Sequence, residues 1–186
     1  NDNNQDQKYP RLEARIEATW AANASGTNKN SLYATEIKAL RWASDRIRGE
    51  GVVAVVTNNK FIGGNTADGL RKCIAEEFSY AYIFDLRGSI RGRSGDEAKR
   101  EGQSIFNIMT GIALIVLIKD PAHEGPCELY YHDIGDYLDR EEKLAIIGQF
   151  GSIENIPWQK IIPNEAGDWI NQRNPEFEGF VPLNDD

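Results

Sequence analysis

The nearly unbroken β-branched run Val52–Val56 constrains this chain more than any other stretch. Such a run is the pattern of a strand covered on both faces. It ends in Thr57-Asn58-Asn59, side chains suited to hydrogen bonding from a loop. Asn65 or Thr66 then stands where a helix cap is expected, ahead of Ala67, Leu70, Ile74 and Phe78 on one helical face. Tyr82–Leu86 is the next strand pattern. A strand, a helix and a further strand form a crossover unit, which predicts parallel pairing and a right-handed connection.

The flanking segments extend this α/β pattern. Leu12, Ile16 and Trp20 predict a short amphipathic helix within Leu12–Ala22, and the polar stretch NASGTNKNS predicts a connector. Ser31 is placed to cap a helix carrying Ile37, Leu40, Ala43 and Ile47, with a stop near Gly49. Arg41, Asp45, Arg46 and Arg48 are expected on its solvated flank. Gly88–Ser104 is too long and polar for a tight turn, and Ile112–Ile118 follows as a third buried strand stopped by Asp120-Pro121. Glu128–Tyr131 predicts an edge strand. Asp139 and Glu142 form a capping box before Leu144, Ile147 and Phe150. From Ile156 onward Trp158, Pro163, Trp169, Pro175 and Pro182 punctuate an irregular tail.

With 186 residues, one core with an appended tail is the natural expectation. The apolar runs are too short to cross a bilayer, and no basic start followed by an apolar stretch points to secretion. A cytoplasmic protein with no membrane partner is expected, with Cys73 and Cys127 as reduced thiols. His123 and His132 sit in no metal-ligand motif, so no metal site is assigned. A net charge of −8 argues against nucleic-acid binding by the whole surface, but not by a local basic patch. Asn1 stands where an initiator methionine would, and the polar residues after it predict a frayed end.

Open α/β sheets bind ligands beyond the carboxyl ends of their strands. The first strand delivers Asn58, Asn59, Lys60 and Phe61 to that edge, and the second delivers Asp85, Arg87 and the Gly88–Ser104 loop. An antiparallel third strand would bring the basic loop out beside TNNKF. Asparagine can read a purine edge and an aromatic ring can stack on an extruded base, making Asn58, Asn59 and Phe61 the substrate-binding candidates. Loop capping and core packing are the competing roles for these residues. Arg87, Arg91, Arg93, Lys99 and Arg100 are the DNA-binding candidates through phosphates, partly offset by Asp96, Glu97 and Glu101. Gly63-Gly64-Asn65 lacks the spacing of a phosphate-binding turn. His132 with Asp133 is disfavoured as an acid–base pair, because neighbours on a strand point to opposite faces.

The ordered motifs NSLYATEIKALRWASDRI, GVVAVVTNNKFIGGNTADGLRKCIAEEF, YAYIFDLRG, TGIALIVLIKDP, YYHDIGDYLDREEKL and PNEAGDWINQR span about residues 9–180. Together they resemble the adenine-N6 DNA methyltransferase portion of large single-chain restriction-modification proteins, often labelled predicted helicases. The resemblance implies a partial Rossmann-like class I methyltransferase fold: an α/β mixed sheet with two parallel strands and an antiparallel return strand. It also implies methyl transfer from S-adenosylmethionine to the exocyclic amine of an adenine in double-stranded DNA. Residues 31–150 would be the carboxyl-terminal half of that domain, 1–30 a polar segment with a short helix, and 151–186 a tail toward target recognition.

The sequence departs from the family in lacking the Asn-Pro-Pro-Tyr motif and the glycine-rich cofactor turn, both of which would precede Tyr9. Asn174-Pro175-Glu176 does not replace the former, and Ala34–Glu36 departs from the polar-aromatic pattern expected there. No catalytic or cofactor-binding residue is therefore carried over. The expectation is the target-base and DNA-facing side of the enzyme, inactive alone, with S-adenosylmethionine held elsewhere in the parent. The first strand would expose an edge that a homodimer or the polar upstream residues would cover. The alternative is a non-catalytic DNA- or protein-binding module.

Overall fold

The computed structural model describes residues 8–173. Helix α1 (Pro10–Ile16) begins with proline in its first turn and runs into a π-helical turn, Glu17–Ala21. Helix α2 is Thr35–Ser44, β1 Gly51–Asn58, α3 the single turn Lys60–Gly63, and α4 Asp68–Glu77. Strand β2 (Tyr80–Asp85), helix α5 (Gly95–Glu101), β3 (Ile112–Lys119), β4 (Glu128–Asp133), α6 (Arg140–Phe150) and β5 (Gln159–Ile161) complete the order.

The five strands form one mixed sheet in the order β1-β3-β2-β4-β5. Strand β3 lies antiparallel between β1 and β2, with Val55 and Ile83 both opposite Ile115. The crossover strands thus share a direction without pairing, which corrects the expectation of parallel neighbours. The parallel pair is instead β2 with β4. With β5 bonded to its other side, β4 is an interior strand and not the expected edge.

Alternation assigns two faces. The rows Val53–Leu117–Ala81–Leu129 and Val55–Ile115–Ile83–Tyr131 lie under Trp20, Ile37, Leu40, Leu70 and Ile74. The opposite face packs Phe84 and Leu114 against Ile146, Ile147, Phe150 and Trp158. That cover does not reach β1, where Val52 is 59% and Val56 51% exposed. The apolar run therefore belongs to a strand covered on one face only.

The expected caps are replaced by short turns. Ser31 lies in the 3-10 turn Asn30–Tyr33, and its hydroxyl meets that of Thr66 at 2.9 Å, so α2 starts later, at Thr35. Asn65 and Thr66 form the 3-10 turn Asn65–Ala67, which precedes α4 without a side-chain cap. Helix α2 ends at Ser44, short of Gly49. The capping box of Asp139 and Glu142 does form.

Two charged side chains overturn the expected helix faces. Arg41 is buried, with its guanidinium forked on Glu77 at 2.7 Å and set over the Trp20 ring. A planar, paired and stacked cation fits an interior that its charge alone would forbid. Lys143 is likewise buried, while Leu144 is 43% exposed. The ammonium donates to the carbonyls of Leu86 (2.8 Å) and Glu101 (3.0 Å), which turns this face of α6 inward.

Candidate nucleic-acid interface at the sheet edge

The carboxyl ends of β1, β2 and β4 meet the amino end of β3 at one edge. On the α2/α4 face, the last row is Thr57, Ala113, Asp85 and Asp133. Ala113 is small, which leaves room above the sheet between the flanking polar residues. A cavity of about 920 Å³ opens here, lined in part by Asn58, Asn59, Asp85, Arg87, Tyr131 and Asp133. Its size is within the range of small-molecule and nucleotide sites.

Asp85 organises the floor and is 8% exposed. Its Oδ1 accepts from Asn59 Nδ2 and from the Arg87 backbone N–H, each at 2.9 Å. Its Oδ2 accepts from the Tyr131 hydroxyl at 3.3 Å. Burial raises the pKa of Asp85 despite these donors, and nearby Asp133 adds to the rise. Burial also opposes ionisation of Asp133, but the Arg87 fork and the Gly135 N–H bring its pKa below the ordinary value. Tyr131, half-buried beside both carboxylates, is raised, first by its burial and then by the two charges.

The structure brings the three substrate-binding candidates to this cavity in different ways. Asn58 donates to Glu36 at 2.6 Å and accepts from the Lys60 N–H at 3.0 Å. Asn59 lies against Gly111, where any Cβ would come within 2.3 Å of its Oδ1. With its amide nitrogen committed to Asp85, Asn59 Oδ1 has no hydrogen-bond partner among the described residues. Phe61 is 2% exposed and meets Trp169 edge to face at 6.1 Å. It is part of the wall, with no open ring face for stacking.

The basic candidates divide. Arg87 is forked on Asp133 at 2.7 and 2.8 Å and also pairs with Asp136. Arg93 pairs with Glu101, and Arg100 with Asp136 at 3.1 Å. Arg87 and Arg93 line the cavity. Arg91 on the loop and Lys99 on α5 are exposed, with no ion-pair partner among the described residues.

Several contributors escaped sequence reasoning. Glu36 comes from α2, and Tyr131 and Asp133 from one face of β4; the spacing along the chain does not show that these two elements meet. Ile170 and Asn171 close another side, held by buried Arg71 and Asp168 at 2.9 Å. Of the tail, Asn174-Pro175-Glu176 and Pro182 lie outside the described residues. His132 and Asp133 do point apart: His132 packs with Phe84 and Phe150, while Asp133 binds Arg87.

The glycines near the cavity serve the chain's own backbone. A Cβ at Gly64 would meet Lys60 O at 2.6 Å, and one at Gly88 (φ 88°) would meet Ser104 Cα at 2.8 Å. Neither glycine offers open backbone as a cradle. Among the described residues no cluster of His, Cys, Asp and Glu could hold a metal, and no helix is long and apolar enough to cross a membrane. Cys73 and Cys127 are free thiols, and burial raises both pKa values, that of Cys127 to about 11.

A mixed open sheet with a polar cavity at its carboxyl edge is the architecture of a ligand-binding α/β domain. More specifically, the chain is similar to segments of large single-chain restriction-modification enzymes. It is 40% identical to a nuclease-deletion mutant of the Type ISP restriction-modification enzyme LlaGI in complex with a DNA substrate mimic, with a TM-score of 0.89. For the ATP-dependent Type ISP restriction-modification enzyme LlaBIII bound to DNA the values are 43% and 0.91, and for a DrdV–DNA complex 34% and 0.84. These matches cover 96%, 95% and 94% of this chain, but only 17%, 12% and 17% of the respective larger chains. No protein-family model and no curated protein matches the chain.

Proposed function

We propose that this chain supplies the target-base and DNA-facing side of an S-adenosylmethionine-dependent adenine-N6 DNA methyltransferase in a restriction-modification enzyme. The observation carrying this reading is the convergence of Asn58, Asn59, Asp85 and Arg87 on one cavity at the carboxyl edge. Likeness to segments of enzymes solved with DNA supports a DNA-facing role. The methyltransferase assignment rests on the ordered motif series, TNNKF and FDLRG through GDWINQR. An extruded adenine would enter the cavity, with Asn59 Oδ1 accepting from a base N–H. Arg91 and Lys99 would meet phosphates.

S-adenosylmethionine and the groups that orient the amine belong, in this reading, to other parts of the enzyme. This chain alone would be inactive in methyl transfer. The edge of β1 that is unpaired among the described residues is then where a neighbouring strand docks, and isolated chains would cover it by pairing as homodimers.

Two titrations test this division of labour. Calorimetry with S-adenosylmethionine should give no saturable heat, and saturable binding would overturn it. Fluorescence anisotropy of a labelled duplex should rise at low salt and fall as salt increases. No rise at any salt concentration would remove the DNA-facing role.

A further inference from the structure

The segment between α5 and β3 carries a feature that the cavity does not use. Phe106, Ile108 and Met109 are 56%, 44% and 51% exposed, an apolar tip on an otherwise polar loop. Exposed apolar groups gathered in one place call for a covering partner. The tip is a built turn. Asn107 adopts φ 56°, and its N–H donates to Ser104 O at 3.1 Å. Ile105 turns inward and packs against the cluster around Phe84 and Ile112, leaving the next side chains outside.

The carboxyl-side root of this tip is fixed to the cavity rim, while its amino-side root is held from the α6 side, where the Gln103 N–H donates to Leu138 O at 3.1 Å and Arg140 Nε to Ile105 O at 3.0 Å. The Arg91 N–H donates to Met109 O at 3.1 Å, and the Ile112 N–H donates to Arg87 O at 3.0 Å. The Asn59 N–H donates to Gly111 O at 3.0 Å, and Thr110, the residue after Met109, lines the cavity. The tip therefore stands at the mouth, beside an exposed arginine with no ion-pair partner among the described residues.

We infer that the Phe106–Met109 tip is a wedge that enters duplex DNA and fills the gap left when a base is extruded into the neighbouring cavity. This rests on the reading that the cavity receives a base. Removing a base from the stack leaves an apolar slot one base pair high, and phenylalanine, isoleucine and methionine are side chains that proteins insert between base steps. Phe106, the most exposed of the three, takes the slot; Ile108 and Met109 line the groove beside it. Arg91 meets the adjacent phosphate and gives the tip the charge complementarity that a purely apolar protein contact would not need.

The test compares an intact duplex with the same duplex carrying a central abasic site, a slot already open. Fluorescence anisotropy should show this chain preferring the abasic duplex by about five- to a hundredfold, the worth of one base–aromatic stack. The combined Phe106→Ser, Ile108→Ser and Met109→Ser variant should lose that preference while keeping the salt slope of the native chain, because it removes no phosphate contact. Arg91→Gln should weaken both duplexes by the same factor. A 2-aminopurine beside the abasic site should be quenched by the native chain and not by Phe106→Ser.

Equal affinity of the native chain for both duplexes overturns the wedge alone and leaves the DNA-facing role standing. No affinity for either duplex overturns that role and the wedge with it. A triple variant that keeps the abasic preference, yet changes only the self-association seen by sedimentation, overturns the proposal in favour of a protein partner. All three substitutions are at exposed positions, and an unchanged thermal midpoint shows that the comparison is between folded chains.

Discussion

Asp85 accepts from Asn59, the Arg87 N–H and Tyr131, so three donors converge on a group that only accepts when ionised. Its raised pKa, caused first by burial, means that the charged form is penalised in the folded state. A carboxylate with a raised folded pKa contributes stability below its unfolded value of 3.8 and loses it as pH rises through the folded value. Asp85→Asn lacks this loss while keeping an oxygen for Asn59 and the Arg87 N–H, and the Tyr131 hydroxyl can turn to accept. The variant should therefore gain stability relative to the native chain as pH rises from 3.8 toward neutrality, whereas Asp85→Ala should lose about 2 kcal/mol by stranding buried donors. Denaturant unfolding at several pH values measures this, and a pH-independent difference between Asp85→Asn and the native chain would refute it. Polar residues just past an apolar strand made Asn58, Asn59 and Arg87 readable from sequence. Tyr131 and Glu36 were not, because what places them is strand register and the approach of α2.

Arg71 ties α4 to the segment that closes the cavity, donating to Phe61 O, Gly64 O, Gly167 O and Asp168 Oδ1. Asp168 is 3% exposed and is held at a pKa of about 2, chiefly by its hydrogen bond from Arg173. A carboxylate with a lowered folded pKa gives stability that is full above its unfolded value of 3.8 and disappears as pH falls through about 2. This group should contribute about 2 kcal/mol at neutral pH. Hydrogen exchange should therefore show 164–173 opening before the sheet as pH drops from 4 toward 2. Asp168→Asn should show the same opening at neutral pH, and unchanged protection there would rule out the latch. Periodicity made α4, β2 and β3 readable. It missed this segment because ion pairs, not an apolar repeat, secure it. It also misjudged α6, where the two carbonyls facing Lys143 decide which side turns inward.

The shared direction of β1 and β2 was readable from the helix that joins them, the antiparallel return of β3 came only with the family resemblance, and the order of the three strands was not readable. An antiparallel return strand can sit outside a crossover pair or between its members, and hydrogen-bond register decides which. Insertion of β3 leaves one side of β1 unpaired among the described residues, and Val52 and Val56 stand exposed beside that edge. An edge strand with apolar exposure and no charge along its length is a template for further pairing. Val52 to Val56 contains neither lysine nor proline, the residues that usually blunt such an edge. Sedimentation velocity should show this chain associating as its concentration rises. Val56→Lys should return it toward the monomer without loss of folded-state stability beyond about 0.5 kcal/mol, the allowance for an exposed position. A native chain that remains monomeric at high concentration would refute pairing through this edge.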